Sequence, residues 1–473
     1  MEVTWIGLII LPLGLLLAFL SPRWLYYLTV FSIPFSATAL LNSGSESSKF
    51  AVQYLGMLWM IRYWITRGMR LIQIPTLRIN KESFAPFWLW FFGVVVTASM
   101  IMPYLIRGKD SVIFGEPSYS SVWVPIELTW ETAKYPVPVL FGILFATTIA
   151  MENANAMKLR NTLRVYVLSG VFLAAWGMVQ FLCSNVLHLP YPSFVFNTSE
   201  LTTTQGYLQM TESGINRIAS ASREPSMFAK QLLVILPLLL YGLFTRTRLF
   251  SRSLDLYFLV FMAVMILLST ASSGYIGLPI VFGLSVAVLM FSGNKLLAFR
   301  IICIISLVIV VGFLCAYMLM PETINSILSE TLFNKQESGS MFVRLASLAY
   351  AWPYFEKYPI IGAGWNFVTS YDLIVCLLAN VGIVGLSAFT IFAIQPIIRT
   401  MKLLKNIPSD ILLNSNPVIT YAIGTAISQV LLLVLAIIGG YEFYLVYSYM
   451  TIGLLYAANS QLHLINVATR IKN

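Results

Sequence analysis

One stretch of this sequence gathers cationic side chains at the edge of an apolar segment. Residues 217–230 read RIASASREPSMFAK, and they place Arg217, Arg223, Glu224 and Lys230 immediately before or within that segment. Arginine presents a planar set of N–H donors that matches phosphate oxygens, and a lysine inside an apolar segment needs a partner. The stretch therefore predicts an anion-binding site at a membrane boundary, with Glu224 or a bound phosphate as the partner of Lys230.

A second stretch with similar potential lies later in the chain. Arg344 opens a run in which apolar residues recur at helical spacing, and this run predicts an amphipathic helix over 342–355. The segment KYPIIGAGWNF follows at 357–367, and its glycines allow a close approach of the backbone. We expect Arg344 to join the cationic site. Further substrate contacts are predicted at Ser226, Gly362, Gly364 and Trp365.

Each of these residues also has an ordinary structural explanation. Glu224 and Pro225 suit the first turn of a helix, where an acid meets the positive end of the helix dipole. Arg223 can reach lipid headgroups, and Arg344 can lie on a solvated helix face. Trp365 can belong to the aromatic belt of a membrane interface instead of stacking on a sugar. The functional interpretation depends on the cations acting together.

The composition identifies the kind of protein that carries these stretches. Of its 473 residues, 58% are hydrophobic and only 10% are charged, whereas soluble domains carry about 25% charged residues. Apolar runs of about 20 residues recur along the chain, and lipid favours helices that satisfy their own backbone groups. We predict an all-α polytopic membrane protein, one integral domain over residues 1–473 with about 12–14 transmembrane helices. The predicted spans are Trp5–Leu20, Trp24–Leu41, Phe50–Ile65, Ala85–Ile106, Tyr135–Met151, Tyr166–Leu187, Met227–Phe244, Leu256–Leu268, Tyr275–Phe291, Ala298–Leu319, Leu373–Ile398, Pro417–Ile438 and Tyr444–Ala458.

The distribution of charge predicts the orientation of the chain. Two long connections, residues 188–226 and 321–372, alternate with short basic ones, and positive residues favour the cytoplasmic side. This rule places the amino terminus and both long loops in the periplasm and the carboxyl terminus in the cytoplasm. The net charge of +10 is then a topology signal and a contact for anionic lipids, so we expect no nucleic-acid partner.

Metal and disulfide chemistry have little support in the sequence. The four cysteines lie in or beside apolar segments without paired spacing, and the chain has only two histidines. We therefore expect no metal and no cofactor.

Several motifs resemble those of a known membrane family. They are SREPSMFA at 222–229, STASSGYIGL at 269–278, LLANVGIVGL at 377–386, and an arginine, Arg344, with seventeen residues between it and GAGWNF. The chain resembles the O-antigen polymerase and ligase superfamily, in particular its Wzy-type O-antigen and exopolysaccharide polymerases. The resemblance implies a metal-independent, inverting transfer at the outer leaflet and a fold similar to GT-C type glycosyltransferases.

The resemblance also implies a reaction and roles for the cations. A growing glycan would move from one undecaprenyl pyrophosphate carrier to a sugar hydroxyl of another carrier-linked repeat unit, at the periplasmic face of a bacterial inner membrane. Arg223 and Arg344 are expected to clamp the pyrophosphate, with Arg217 and Lys230 assisting. Glu224 is the first candidate for the base, but neighbouring arginines lower a carboxylate pKa, so it could instead hold Arg344 or Lys230 in place. The other carboxylates predicted on this side are Glu212, Glu356, Asp372 and Glu442.

Two other functions stay open at the level of sequence. An O-antigen ligase would use the same donor with a lipid A core acceptor, but the ligase branch usually has a histidine after the glycine segment. This chain has none between His188 and His463. A flippase for lipid-linked sugars would be expected to show two similar halves. The expected partners are the carrier-linked donor and acceptor, membrane lipids, and a chain-length regulator and a flippase as further candidates.

Overall fold

Apolar helices make up most of the protein. The structure is a computed structural model, and it describes residues 2–42, 49–73, 87–113, 123–199, 216–245, 247–291, 299, 339–405, 407 and 416–472. The helices are α1 (Trp5–Leu20), α2 (Pro22–Phe31), α3 (Ala51–Gln73), α4 (Phe87–Ser99), α5 (Met102–Leu105), α6 (Val137–Glu152), α7 (Ala156–Phe181), α8 (Pro225–Phe244), α9 (Arg252–Leu268), α10 (Ser272–Phe291), α11 (Gly339–Lys357), α12 (Leu373–Lys405), α13 (Pro417–Gly439) and α14 (Val446–Lys472).

Two small antiparallel sheets accompany the helices. One has the strand order β1 (Glu2–Val3), β2 (Ala39–Asn42), β3 (Lys49–Phe50). The other pairs β4 (Ser111–Ile113) with β5 (Trp123–Pro125), and Val112 lies opposite Val124.

The all-α polytopic membrane class is confirmed. Within the described residues, seven helical segments are long and apolar enough to cross a membrane. They are Phe87–Leu105, Thr132–Glu152, Ala156–Val186, Pro225–Phe244, Ser272–Met290, Leu373–Lys405 and Pro417–Gly439.

Helices occupy most of the predicted spans. The prediction of a span at Trp24–Leu41 is wrong in its second half, because helix α2 ends at Phe31 and strand β2 begins at Ala39. The predicted span Ala298–Leu319 lies outside the described residues, apart from residue 299. The amphipathic helix predicted over 342–355 is present as α11.

Several helix ends follow from local sequence. Thr4 caps α1, since its hydroxyl accepts a hydrogen bond from Gly7 N at 3.1 Å. Ser251 caps α9 in the same way through Leu254 N at 3.2 Å. Helix α13 starts with Pro417 in its first turn, where a missing N–H costs nothing, and Asn416 caps it. These short polar residues fix where each apolar helix begins.

Helix α8 is the central element of the bundle. It packs against α9, α10 and α13, and nearly all of its residues are buried. Its buried residues include Lys230 and Gln231, which lie one to two turns after the helix begins. The positions that α8 gives to these polar side chains determine the geometry of the site.

Candidate functional site

The segment before α8 is anchored by backbone contacts. The Gln180 side-chain oxygen accepts hydrogen bonds from Ala219 N at 3.0 Å and Ser220 N at 2.7 Å. Ala37 N donates to the Ala221 carbonyl at 2.9 Å, which joins the segment to the chain that follows α2. The backbone just before Arg223 is therefore fixed against α7 and the α2 end of the bundle.

Arg223 faces the turn between α13 and α14, which we call the 439–445 turn. Its guanidinium carbon lies over the ring of Tyr444, 5.6 Å from the ring centroid. Arg223 is partly buried, and its backbone N–H donates to Ser36 Oγ at 3.4 Å. A cation held over an aromatic face in this way is attracted by the ring electrons.

Lys230 reaches the same turn from within the bundle. Its ammonium forms an ion pair with Glu442 and also donates to the Gly439 and Gly440 carbonyls, at 3.5 and 3.4 Å. The second carboxylate oxygen of Glu442 accepts a hydrogen bond from the Tyr447 hydroxyl. The expectation that Lys230 needs a partner is confirmed, but the prediction of Glu224 as that partner is wrong, because Glu442 fills the role.

Charged groups converge around Tyr444. Desolvation raises the pKa of its hydroxyl, the Arg223 guanidinium opposes this rise, and the carboxylates of Glu442 and Glu224 add to it. All three charged side chains thus act on one phenol. The 439–445 turn is therefore the place where the segment before α8 and the buried ion pair meet.

Helix α11, which carries Arg344, approaches this turn through two contacts. The Ser347 hydroxyl donates to the Arg344 carbonyl at 2.7 Å and accepts a hydrogen bond from Tyr371 N at 3.2 Å. Tyr371 in turn packs on Gly440, where an added Cβ would lie 3.4 Å from the Tyr371 carbonyl oxygen. Arg344 is partly buried. Arg223 thus contacts the 439–445 turn directly, whereas the helix of Arg344 is linked to it only through Tyr371.

The glycine segment packs against a kink in α12. Ala363 N and Gly364 N donate to the carbonyls of Ala379 and Asn380, at 2.8 and 3.1 Å. A Cβ at Gly362, whose φ is 68°, would lie 2.2 Å from the Asn380 carbonyl carbon. The close approach expected of these glycines is present, and the neighbour is the backbone of α12.

Trp365 is part of an aromatic cluster inside the protein. Its side chain is buried, and its ring lies edge-on to Phe443 at 4.9 Å and to Phe92 at 6.0 Å between centroids. Since Phe443 belongs to the 439–445 turn, this packing holds the turn against the aromatic cluster. A contact of Trp365 with a sugar stays a prediction.

Arg217 lies on a different side of the segment. It donates to the Thr270 carbonyl at 3.4 Å and is close enough to Tyr275 to interact with it electrostatically. Ser226 joins this side through its carbonyl, which accepts from the Ser273 hydroxyl at 3.3 Å. These contacts are with the start of α10 and with Thr270 just before it, whereas Arg223 contacts Tyr444.

The structure distinguishes the candidate carboxylates by their contacts. Asp372 caps α12 by accepting from Val375 N at 2.8 Å, and Glu356 accepts from Trp352 Nε1 at 2.7 Å. Glu224 is partly buried, and among the described residues its carboxylate accepts a hydrogen bond from the Ser226 hydroxyl alone, at 3.2 Å. Glu212 lies outside the described residues. Glu224 is thus the carboxylate next to Arg223 that no lysine or arginine in the described ranges holds in an ion pair.

One known family matches part of the chain. Residues 257–376 match the family model described as O-antigen ligase. This match supports membership of the O-antigen polymerase and ligase superfamily. No curated protein matches the chain.

The residues that match the family model cover one part of the candidate site. They contain Arg344 and the glycine segment, whereas Arg223, Lys230 and the 439–445 turn lie outside them. The family match and the geometry around Arg223 are therefore separate observations. The two regions meet where Tyr371, inside the matched residues, packs on Gly440, outside them.

Asp110 was missed at the level of sequence. It pairs with Lys357 at the end of α11 at 2.5 Å, and it also accepts a hydrogen bond from the Tyr358 hydroxyl. The adjacent strand β4 contacts the same helix, because Ile113 N donates to the Tyr350 hydroxyl at 2.5 Å. Nothing in the sequence spacing links residues 110 and 357, so no local signal could have found this contact.

Proposed function

We propose that the protein is a polysaccharide polymerase of the O-antigen polymerase and ligase superfamily. In the proposed reaction, a sugar hydroxyl of one carrier-linked repeat unit attacks the anomeric carbon of a second, carrier-linked glycan. A new glycosidic bond forms, the bond from the anomeric carbon to the phosphate oxygen breaks, and undecaprenyl pyrophosphate leaves. The reaction requires a group that stabilises the negative charge of the leaving pyrophosphate.

The single observation that carries the proposal is the convergence on the 439–445 turn. Arg223 lies over Tyr444 of this turn, and the helix of Arg344 reaches it through Ser347 and Tyr371. These contacts link two segments, distant in the chain, that each carry one of the cations. This arrangement suits a diphosphate, which offers oxygens to more than one arginine.

The pairing of Lys230 sharpens the assignment of roles. Glu442 neutralises Lys230, so this lysine serves the architecture of the turn. Among the described residues, neither Arg223 nor Arg344 forms an ion pair with a carboxylate. These two guanidinium groups are therefore our candidates for the pyrophosphate clamp.

Glu224 is the proposed acceptor of the hydroxyl proton. It lies next to Arg223 in the chain, and one of its carboxylate oxygens accepts no hydrogen bond from the described residues. The proton would pass from the attacking hydroxyl to this carboxylate and then to water. Gly362 and Gly364 support the site by fixing the chain that leads from α11 to α12.

A polymerase is favoured over a ligase because the chain has no histidine between residues 188 and 463. We place the site at the periplasmic face of the bacterial inner membrane, since the basic connections lie on the opposite side of the predicted topology. Carrier-linked donor and acceptor are the proposed substrates, and a flippase and a chain-length regulator are proposed partners.

The proposal is tested by sizing surface glycan in a strain that lacks the gene and carries a variant of it. Arg223→Ala and Arg344→Ala are expected to abolish long polymer, because each removes part of the clamp. The matched control is Arg107→Ala, since Arg107 is an exposed arginine at the same end that pairs with Glu127 at 3.5 Å. Long polymer from normally inserted Arg223→Ala and Arg344→Ala proteins would contradict the proposal.

The same strain separates the competing functions. Loss of a polymerase leaves single repeat units at the surface, and loss of a ligase leaves polymer on the lipid carrier that is never transferred to the lipid A core. Loss of a flippase leaves no repeat units outside the membrane. The proposal requires the first pattern.

A further inference from the structure

We propose that Tyr444 is a positioning residue for Arg223, so that the 439–445 turn is a third component of the pyrophosphate site. This inference rests on the proposed function. It adds a residue that lies outside residues 257–376, which match the O-antigen ligase family model. Tyr444 would act through Arg223 without touching the reacting atoms.

The first argument comes from the geometry of the contact. The guanidinium of Arg223 lies over the face of the Tyr444 ring, 5.6 Å from its centroid. The face of a ring attracts a cation without accepting a conventional hydrogen bond from its N–H groups. The ring thus holds the cation and leaves its donors available for phosphate.

The exposure of both residues also supports this role. Tyr444 is 39% exposed, and Arg223 is only partly buried. Both residues therefore keep part of their surface open to a ligand from outside the bundle.

The turn that carries Tyr444 is held by the contacts of the two residues before it. Glu442 is held by Lys230 and Tyr447. Phe443 packs on Tyr441 at 4.6 Å and on Trp365 at 4.9 Å between ring centroids. A backbone held in this way limits where the Tyr444 ring can lie, and such pre-organisation strengthens ligand binding.

The test measures the affinity of the purified protein in detergent micelles for farnesyl pyrophosphate, a short carrier analogue. Tyr444→Leu is expected to weaken binding by about 3- to 10-fold, because it removes a cation–π contact of ordinary strength. Tyr444→Phe keeps the ring and is expected to restore most of the affinity. Tyr104→Leu is the matched control, since Tyr104 is also an exposed tyrosine of this end.

A double variant distinguishes positioning from a general structural role. In an Arg223→Ala background, Tyr444→Leu is expected to cause no further loss, because the residue it positions is gone. An additional loss of the same size in that background would overturn the proposal, and so would a Tyr444→Phe protein as weak as Tyr444→Leu. Should Tyr444→Leu fail to fold, Tyr444→Met takes its place in the same comparison.

The outcomes also separate this inference from the proposed function. If Arg223→Ala weakens binding and Tyr444→Leu does not, the positioning role is wrong and the clamp stands. If Arg223→Ala itself binds farnesyl pyrophosphate as the unmodified protein does, the clamp is wrong.

Discussion

Two lysines of this protein connect distant parts of the chain at the same end of the bundle, and they do so in opposite environments. Lys230 and Glu442 have side chains that are 5% and 14% exposed, and they join α8 to the 439–445 turn. Lys357 and Asp110 have side chains that are 53% and 16% exposed, and they join α11 to the chain before the β4–β5 hairpin. Each pair joins a lysine to a carboxylate, but the two lysines differ in burial.

Burial decides what each pair can do. A buried pair cannot lose one partner without leaving a charge in an apolar environment, so it fixes the elements that it joins. An exposed lysine such as Lys357 stays solvated when its partner is removed, so its pair contributes little to stability. We infer that Lys230 and Glu442 hold the site together, whereas Asp110 and Lys357 only seat the hairpin on α11.

The largest effect is expected from Glu442→Ala. This variant leaves the Lys230 ammonium buried and unpaired, which should lower the free energy of unfolding by about 3–5 kcal/mol. Titration with a denaturing detergent in mixed micelles measures the change. A loss below about 1 kcal/mol would mean that burial does not distinguish the two pairs.

An intermediate effect is expected from removing both charges. In Lys230→Met with Glu442→Leu, no buried charge stays behind, so most of the stability lost in Glu442→Ala should return. The same detergent titration compares the two proteins. Equal instability of the double variant would show that the shape of the turn depends on the ion pair itself, or on the Tyr447 hydrogen bond that Glu442 also accepts.

A small and local effect is expected from Asp110→Asn. Global unfolding should match that of the unmodified protein, while amide hydrogen exchange of strands β4 and β5 should become faster. Glu127→Gln is the control, because Glu127 belongs to another exposed pair nearby, with Arg107. A large drop in global stability would contradict the role assigned to the exposed pair.

The smallest effect is expected from changing the pH within the ordinary range. Desolvation raises the pKa of Asp110, but hydrogen bonds from Lys357 and Tyr358 outweigh it and hold the pKa below 3.8. The hydrogen bond to Asp110 raises the pKa of Lys357 above 10.5. The contribution of Asp110 is therefore present above pH 3.8 and lost as the pH falls through its lowered pKa. That of Lys357 is present below pH 10.5 and lost as the pH rises through its raised pKa. Hairpin exchange rates, corrected for intrinsic pH dependence, should be flat between these limits, and a transition near neutral pH would contradict this assignment.

The sequence predicted what depends on local pattern. Apolar runs predicted most helices, and helical spacing predicted α11, because both signals lie within a few turns of chain. The span at Trp24–Leu41 failed because an apolar run does not show where a helix gives way to a strand. The position of Lys230 within an apolar segment predicted that a partner exists, since a charge there needs one.

The sequence could not predict which distant residues meet. Glu442 lies 212 positions from Lys230, and Asp110 lies 247 positions from Lys357. No spacing rule connects such residues, since only the packing of whole helices brings them together. The glycine segment shows a related limit, because the close approach of its backbone was predictable and the identity of its neighbour, α12, was not.

The most direct test of the account is a double-mutant cycle on Arg223 and Arg344, read out by the affinity for farnesyl pyrophosphate relative to farnesol. If both guanidinium groups hold one diphosphate, each alanine variant should weaken pyrophosphate binding by about tenfold or more and leave farnesol binding unchanged. The double variant should bind the two ligands alike. Wild-type preference for the pyrophosphate in either single variant would contradict the clamp.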